Sequence, residues 1–439
     1  MTSRNADWLA RSRASVWHPC TQMKAHETLP LVPLARGEGA WLYDFDGNRY
    51  LDAVSSWWVN LFGHAHPALT TAIADQASRL PHAMLAGFTH QPVVELSERL
   101  AALAPKGLGH AFYASDGASA TEIALKMSHH AWRNRGQPDK RGFVGIAGGY
   151  HGETLGALGV TDVALFRDAY APLLRRQAVV PTPDARLAVD GRTPADVARD
   201  AAAALEATLA RSHATLAAVI VEPLVQGAAG MVMHDASYLA EVRALCTRYG
   251  VHLIADEIMT GFGRTGTLFA WEQARAAPPD FLCLSKGITG GTLPLSCVLT
   301  TDDVYAAFYD DDVARGFLHS HSYTGNALAC RAALAVLDLF GRDDVIVANA
   351  AKAKRWRAMA SALAAHPAVR HFRQAGMIIA FDVASGRADF PRWFFGEALA
   401  RGLLLRPIGK TVYFMPPYVV DDDDFGELCG RTLDIVARA

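Results

Sequence analysis

Seven short apolar runs, most of them followed by a loop and an amphipathic stretch, constrain this chain more than any other feature. They are HAFYA (110–114), FVGIA (143–147), AVV (178–180), LAAVIV (216–221), VHLIAD (251–256), FLCLS (281–285) and LSCVLT (295–300). Their hydrophobicity is continuous rather than alternating, as strands covered by helices on both faces require. The middle of the chain therefore reads as an α/β layer with a mainly parallel sheet, which binds ligands at the carboxyl ends of its strands. Past about Leu339 the pattern changes to a helix and then the strands MIIAFDV and TVYFM, a smaller α+β unit. The expected division is 1–60 joining the small domain, 61–338 as the large domain and 339–439 as the C-terminal small domain. The run VARDAAAALEATLARSH (197–213) predicts a helix, and DDDD (421–424) a solvated turn or helix start.

Composition narrows the function classes. A chain of 439 residues, 51% hydrophobic and 20% charged, can build one large core and a satellite domain. Formal net charge is −2 and the basic residues are spread along the chain, which argues against a nucleic-acid partner. Six cysteines with no CxxC pair fit reduced thiols, with no disulfide and no structural zinc expected. The N-terminus MTSRNADWLARSRASVWHP lacks the apolar core of a signal peptide, and no uncharged apolar run approaches the ~18 residues of a membrane span. A cytoplasmic protein is expected.

Two charged residues stand at strand ends. VHLIAD finishes on Asp256, and a carboxylate at a core edge is costly unless paired. FLCLSKG places Lys286 after another apolar run, where burial favours the neutral, nucleophilic amine. Taken alone, the two are more simply a structural ion pair or surface residues, since most charged residues near strand ends lie at the surface. A third feature shifts the balance. In YASDGASATEIALKM, Ser119 and Glu122 form an S-x-x-E capping box, which sets Gly117 and Ala118 at a helix N-terminus suited to a phosphate. Anion cradle, carboxylate and amine together are what pyridoxal phosphate needs: a phosphate anchor, a partner for the pyridine nitrogen and an amine for the aldehyde.

Competing signals are weaker. GFGRTG (261–266) matches the dinucleotide pattern of an NAD-dependent oxidoreductase, but it starts five residues after Asp256 and TGTLFAWEQ is a poor helix opening. His64 and His66, His129 and His130, and His319 and His321 have no carboxylate or cysteine at metal-site spacing, so no metal is expected. In SSWWVN, Trp57 and Trp58 must point in different directions. Packing on two sides of one segment is the simplest account, unless a nearby pocket needs an aromatic wall.

The runs ADEIMTGFGRTG and LSKGITGG resemble the signature of the class III, fold-type I aminotransferases that use pyridoxal phosphate, and SHSYTGNALAC resembles their segment bearing a hydroxyl for the cofactor phosphate. The resemblance spans about Trp17 to Pro417. WHPCTQM, SSWW, GGYHGET, VEPLVQGAAGM and RPIGKTVYFMPPY are similar to a narrower group, which moves an amino group from S-adenosylmethionine to 8-amino-7-oxononanoate in biotin synthesis.

The resemblance implies roles. Lys286 is the lysine that bonds the cofactor, Asp256 the partner of the ring nitrogen, and Gly117 and Ala118 the phosphate loop. Tyr150 lies beside the ring and meets substrate. Ser320 is a substrate contact, and His321 and Ser322 are phosphate contacts supplied by the other subunit of a homodimer. Arg406 holds the keto acid's carboxylate, Trp57 lines the substrate pocket and Trp58 packs behind it. Cys20 stands where the family has a tyrosine that contacts both substrates, Ala118 where some members have serine, and Ser322 where threonine is usual. Other class III enzymes, such as ω-amino acid:pyruvate aminotransferases, would share Lys286 and Asp256 without needing SSWW or the RPIGK arginine. A decarboxylase or mutase on the same fold is a further alternative.

Overall fold

The computed structural model describes residues 3–439. It divides into two compact units, Ala68–Ala350 with Ala375–Met377, and Met1–Pro67 with Ala351–Gln374 and Ile378–Ala439. These boundaries differ from those expected at 60 and 338, and the second falls inside the continuous helix Val345–Met359. No change of hydrophobic pattern marks a division inside a helix.

All seven apolar runs enter one sheet of the larger unit, with ends within one residue of those predicted. The strands are β1 (His110–Ala114), β2 (Gly142–Ile146), β3 (Ala178–Val180), β4 (Leu216–Val221), β5 (His252–Asp256), β6 (Phe281–Leu284) and β7 (Ser296–Thr300). Their spatial order is β1-β7-β6-β5-β4-β2-β3. Strands β2 to β6 run parallel, whereas β7 is antiparallel to β6 and β1. Every residue of β4, β5, β6 and β7 is buried, so both of their faces must be apolar. The helix Gly117–Asn134 sets Ile123, Ala124, Met127 and Ala131 into one core with Ile220, Ile254, Phe281, Cys283 and Val298. Its alanines keep the helix close to the sheet.

The fragment 375–377 belongs to this unit because GFGRTG receives it. The Met377 N–H donates to the Arg264 carbonyl (2.9 Å), and a Cβ at Gly376 would lie 2.5 Å from the Gly266 nitrogen. The first helical piece after β5 is the 3-10 turn Ala270–Ala274, so GFGRTG is a packing turn and opens no dinucleotide helix.

The smaller unit holds a sheet ordered Leu34–Glu38, Trp41–Asp44, Arg49–Asp52, Leu403–Leu404 and, but for the terminal Ala375, another ordered Val369–Ala375, Ile378–Val383, Thr411–Phe414. The DDDD run starts the helix Asp422–Val436: Asp421 caps it by accepting the Asp424 N–H, and three acids face the positive end of the dipole. The predicted Ala-rich helix spans Pro194–Ser212 behind a Thr193–Asp196 capping box. All six cysteines are free thiols, with Cys20 alone exposed. Among the described residues no helix is long and apolar enough to cross a membrane.

Candidate active site

The carboxyl ends of neighbouring strands bring titratable groups together in the larger unit. Glu222 follows β4, Asp256 ends β5, and Lys286 comes two residues after β6. The Asp256 carboxylate accepts from His151 Nδ1 at 2.7 Å and from the Ile258 N–H at 3.1 Å, and the histidine and aspartate are both buried. His151 Nε2 is a buried atom without a hydrogen-bond partner. Glu222 accepts the N–H groups of Tyr150 (3.0 Å) and Gly227 (3.0 Å). Burial pushes its carboxyl up to about 7, with the Asp256 charge adding to that and His151 opposing it. Burial pulls the Lys286 ammonium below the ordinary lysine value, while Asp256 and Glu222 draw it back. The residue as a whole keeps some accessible surface, yet its ammonium is desolvated. Lys286 also holds φ at 41°, a left-handed value that is costly for lysine and concentrates at functional sites.

Two members of this cluster went unread in the sequence. His151 follows Tyr150 in GGYHG, and Glu222 follows LAAVIV just as Asp256 closes VHLIAD, so the strand-end rule that picked out Asp256 applies to Glu222 as well. Tyr150 donates its hydroxyl to Glu153 (2.9 Å) and sets its ring 5.1 Å from Phe166.

The helix N-terminus lies where it was expected, but its cap is different. Asp116, not Ser119, is the N-cap: its carboxylate accepts both the N–H and the hydroxyl of Ser119 at 2.9 Å. A carboxylate makes the stronger, charge-assisted bond to a terminal N–H and displaces the hydroxyl from that role. Glu122 is thereby released to accept from the Thr154 hydroxyl (2.6 Å) and the Gly156 N–H (2.7 Å). Gly117 and Ala118 occupy the first turn, where N–H groups have no acceptor within the helix. Gly117 approaches closely, since a Cβ there would stand 2.9 Å from Ile258 Cγ2.

Ser320, His321 and Ser322 lie in the loop before the helix Ala327–Arg342. His321 Nε2 is 3.2 Å from His319 Nε2, its N–H donates to the Thr324 hydroxyl (3.0 Å), and the Ser322 carbonyl is 2.8 Å from His82 Nε2. Ser320 and Ser322 are exposed.

The smaller unit gathers the remaining residues. Ser55 to Trp58 all have φ between 46° and 72°. Their backbone bonds, Trp58 N–H to the Val54 carbonyl and Val59 N–H to the Ser55 carbonyl (both 2.9 Å), close one turn of left-handed helix. Such a turn costs L-residues roughly 1–2 kcal/mol each. It gives the two rings different environments. Trp58 is 6% exposed and donates to the Tyr413 hydroxyl (3.1 Å), whereas Trp57 is 45% exposed and carries the Arg406 guanidinium 5.2 Å from its ring centroid. Arg406 also donates to the Cys20 carbonyl (3.3 Å), so Trp57, Arg406 and Cys20 form one cluster.

The larger unit's donor set fits pyridoxal phosphate in kind: a desolvated lysine, a buried aspartate oriented by histidine, and free N–H groups at a helix N-terminus. The comparisons agree with that fit. The sequence pattern of the family "Aminotransferase class-III" matches residues 22–436. The adenosylmethionine-8-amino-7-oxononanoate aminotransferase of Helicobacter pylori is 41% identical over 428 residues, covering 96% of this chain and 95% of the relative. The crystal structure of the enzyme of the same name from Methanocaldococcus jannaschii superposes with a TM-score of 0.92 at 32% identity, over 98% of each chain. An omega transaminase from Pseudomonas jessenii, solved in complex with PMP, superposes with a TM-score of 0.93 at 27% identity, also over 98% of each.

Proposed function

Since the chain belongs to the class-III aminotransferase family, we propose that it transfers the amino group of S-adenosylmethionine to 8-amino-7-oxononanoate, giving 7,8-diaminononanoate, with pyridoxal phosphate as cofactor. The observation that carries the chemistry is the desolvated Lys286 beside the Asp256–His151 pair. The substrate pair is supported by relatives named for it that reach 41% identity over nearly the whole chain, whereas solved omega and amine transaminases at 27–31% identity share the fold. Fold alone does not choose a substrate.

Bound pyridoxal phosphate supplies an electron sink that acidifies the C–H beside the transferred amine. Asp256 would keep the ring nitrogen protonated, and His151 holds the orientation of that carboxylate at 2.7 Å. Lys286, whose ammonium burial pulls below the ordinary lysine value, would be the amine that holds the cofactor's aldehyde end and the base that would take and return the proton at the substrate carbon. Gly117 and Ala118, in the first turn of their helix, would hold the phosphate through their N–H groups, and Tyr150 would lie beside the ring. His321 and Ser322 add phosphate contacts and Ser320 a substrate contact across a homodimer. Arg406 forks around the acceptor's carboxylate, Trp57 walls its alkyl chain, and Cys20 lies beside them. Donor and acceptor use the site in turn. Free thiols suit the cytoplasm, the proposed location.

The test supplies the holoenzyme with each amino donor and acceptor separately and follows 7,8-diaminononanoate by chromatography. Product from S-adenosylmethionine and 8-amino-7-oxononanoate, with slow or no turnover of pyruvate, supports the reading. Efficient ω-amino acid:pyruvate exchange without diaminononanoate would replace it with the omega-transaminase alternative.

A further inference from the structure

The left-handed turn that carries the two tryptophans does not hold itself. Four L-residues in this conformation relax toward the right-handed helix unless their surroundings over-determine them, and no glycine among Ser55 to Trp58 lowers the cost. Asp52 supplies the restraint. It is fully buried at the end of the strand Arg49–Asp52, and its carboxylate accepts the Ser56 N–H (2.8 Å), the Ser56 hydroxyl (2.7 Å) and His64 Nε2 (3.0 Å).

His64 is itself locked in place. Its N–H donates to the Gly39 carbonyl (2.6 Å), its carbonyl accepts the Gly39 N–H (3.1 Å), and its ring lies over Gly37, where a Cβ would come within 2.6 Å of His64 Cβ. At the other end of the turn, the Ser55 hydroxyl donates to the Met415 carbonyl (2.7 Å). If chain reversal were the only requirement, glycine would provide it without a buried carboxylate. The clamp instead preserves the direction of a large, exposed side chain, and that side chain lies against Arg406.

We infer that Asp52, backed by His64 and acting through Ser56, is a positioning residue for the acceptor, holding the left-handed turn so that the Trp57 ring stands beside the carboxylate-binding Arg406. The inference rests on the acceptor reading proposed above. It makes the enzyme's preference for a long-chain acid depend on a buried carboxylate that touches no substrate.

The experiment measures competitive inhibition of the holoenzyme by nonanoate and by propionate, in wild type and in Asp52→Asn. The long acid uses both Arg406 and the Trp57 wall, the short one Arg406 alone. Nonanoate inhibition should weaken roughly tenfold, the worth of about two buried methylenes, with propionate inhibition unchanged. Ser56→Gly is the second variant: glycine tolerates the turn's φ, so the fold survives while the hydroxyl contact and the stiffness are lost. It should shift the nonanoate-to-propionate ratio in the same direction. A wild-type ratio in a folded variant, even with a lowered melting temperature, makes Asp52 merely structural and overturns the inference. Failure of wild type to use 8-amino-7-oxononanoate would overturn the acceptor reading instead, and the inhibition ratio still tests the clamp.

Discussion

At the level of single residues, buried charge does the work. Asp256 accepts from His151 Nδ1 at 2.7 Å and from the Ile258 N–H at 3.1 Å. Asp256→Asn removes the anion that would keep the ring nitrogen protonated and should slow each half-reaction by roughly 10²–10⁴-fold, as expected for losing an acid–base partner, while the cofactor still binds. Stopped-flow absorbance of each half-reaction checks this, and near-normal rates in the variant would exclude Asp256 as the ring's partner. Glu257, next in the chain, is different. It is fully buried and accepts the N–H groups of Ala270 (2.7 Å) and Trp271 (2.6 Å), yet burial pushes its carboxyl up to about 8. A carboxyl whose folded value is raised contributes stability below its ordinary value near 4.5 and loses it as pH rises toward 8. The melting temperature of Glu257→Gln relative to wild type should therefore climb between pH 5 and pH 8.5. A difference that stays flat across that range would show that Glu257 ionises normally.

At the level of elements, the strands were legible and the special backbone was not. Continuous apolar runs identify β4 to β7 because burial on both faces leaves no other composition, whereas β1 to β3 are only partly buried and are legible from apolar runs alone, and Asp256 and Lys286 stand out as charges ending such runs. The helix start at Gly117 was legible too, but not its cap, since Asp116 and Ser119 both satisfy the same rule and only geometry chooses between them. The left-handed turn at Ser55 to Trp58 left no signal, because the residue that normally marks positive φ is absent and the restraint comes from Asp52 and Met415. The same turn separates the roles of the tryptophans. Trp58→Ala should cost roughly 3–5 kcal/mol of stability, since it empties a buried site and strips Tyr413 of its donor. Trp57→Ala should leave the melting temperature nearly unchanged and raise the KM for the long-chain acceptor. Melts paired with half-reaction kinetics check both, and equal loss of stability in the two variants would contradict the division.

At the level of the whole molecule, the fold is shared with enzymes named for different substrates, so specificity resides in side chains that the sheet does not dictate, for which Trp57 and Arg406 are the proposed candidates. Assembly is the remaining property that side chains decide. Ser320 and Ser322 are exposed in a loop that also exposes Leu318 and Tyr323, and its hydrogen bonds run to His319, Thr324 and His82. If His321 and Ser322 complete a phosphate site in the partner subunit, each site draws Lys286 from one chain and these two residues from the other. Mixing inactive Lys286→Ala with an inactive His321→Ala/Ser322→Ala double variant then produces mixed dimers with one site carrying every defect and one carrying none. After subunit exchange at equal concentrations, half the dimers are mixed and half of their sites are intact, so about a quarter of wild-type activity should return. A site built from a single chain places one defect in every site of a mixed dimer, and no activity returns. Activity measured before and after exchange separates the two arrangements, and a mixture as inactive as its parents would return the phosphate contacts to the chain that carries Lys286.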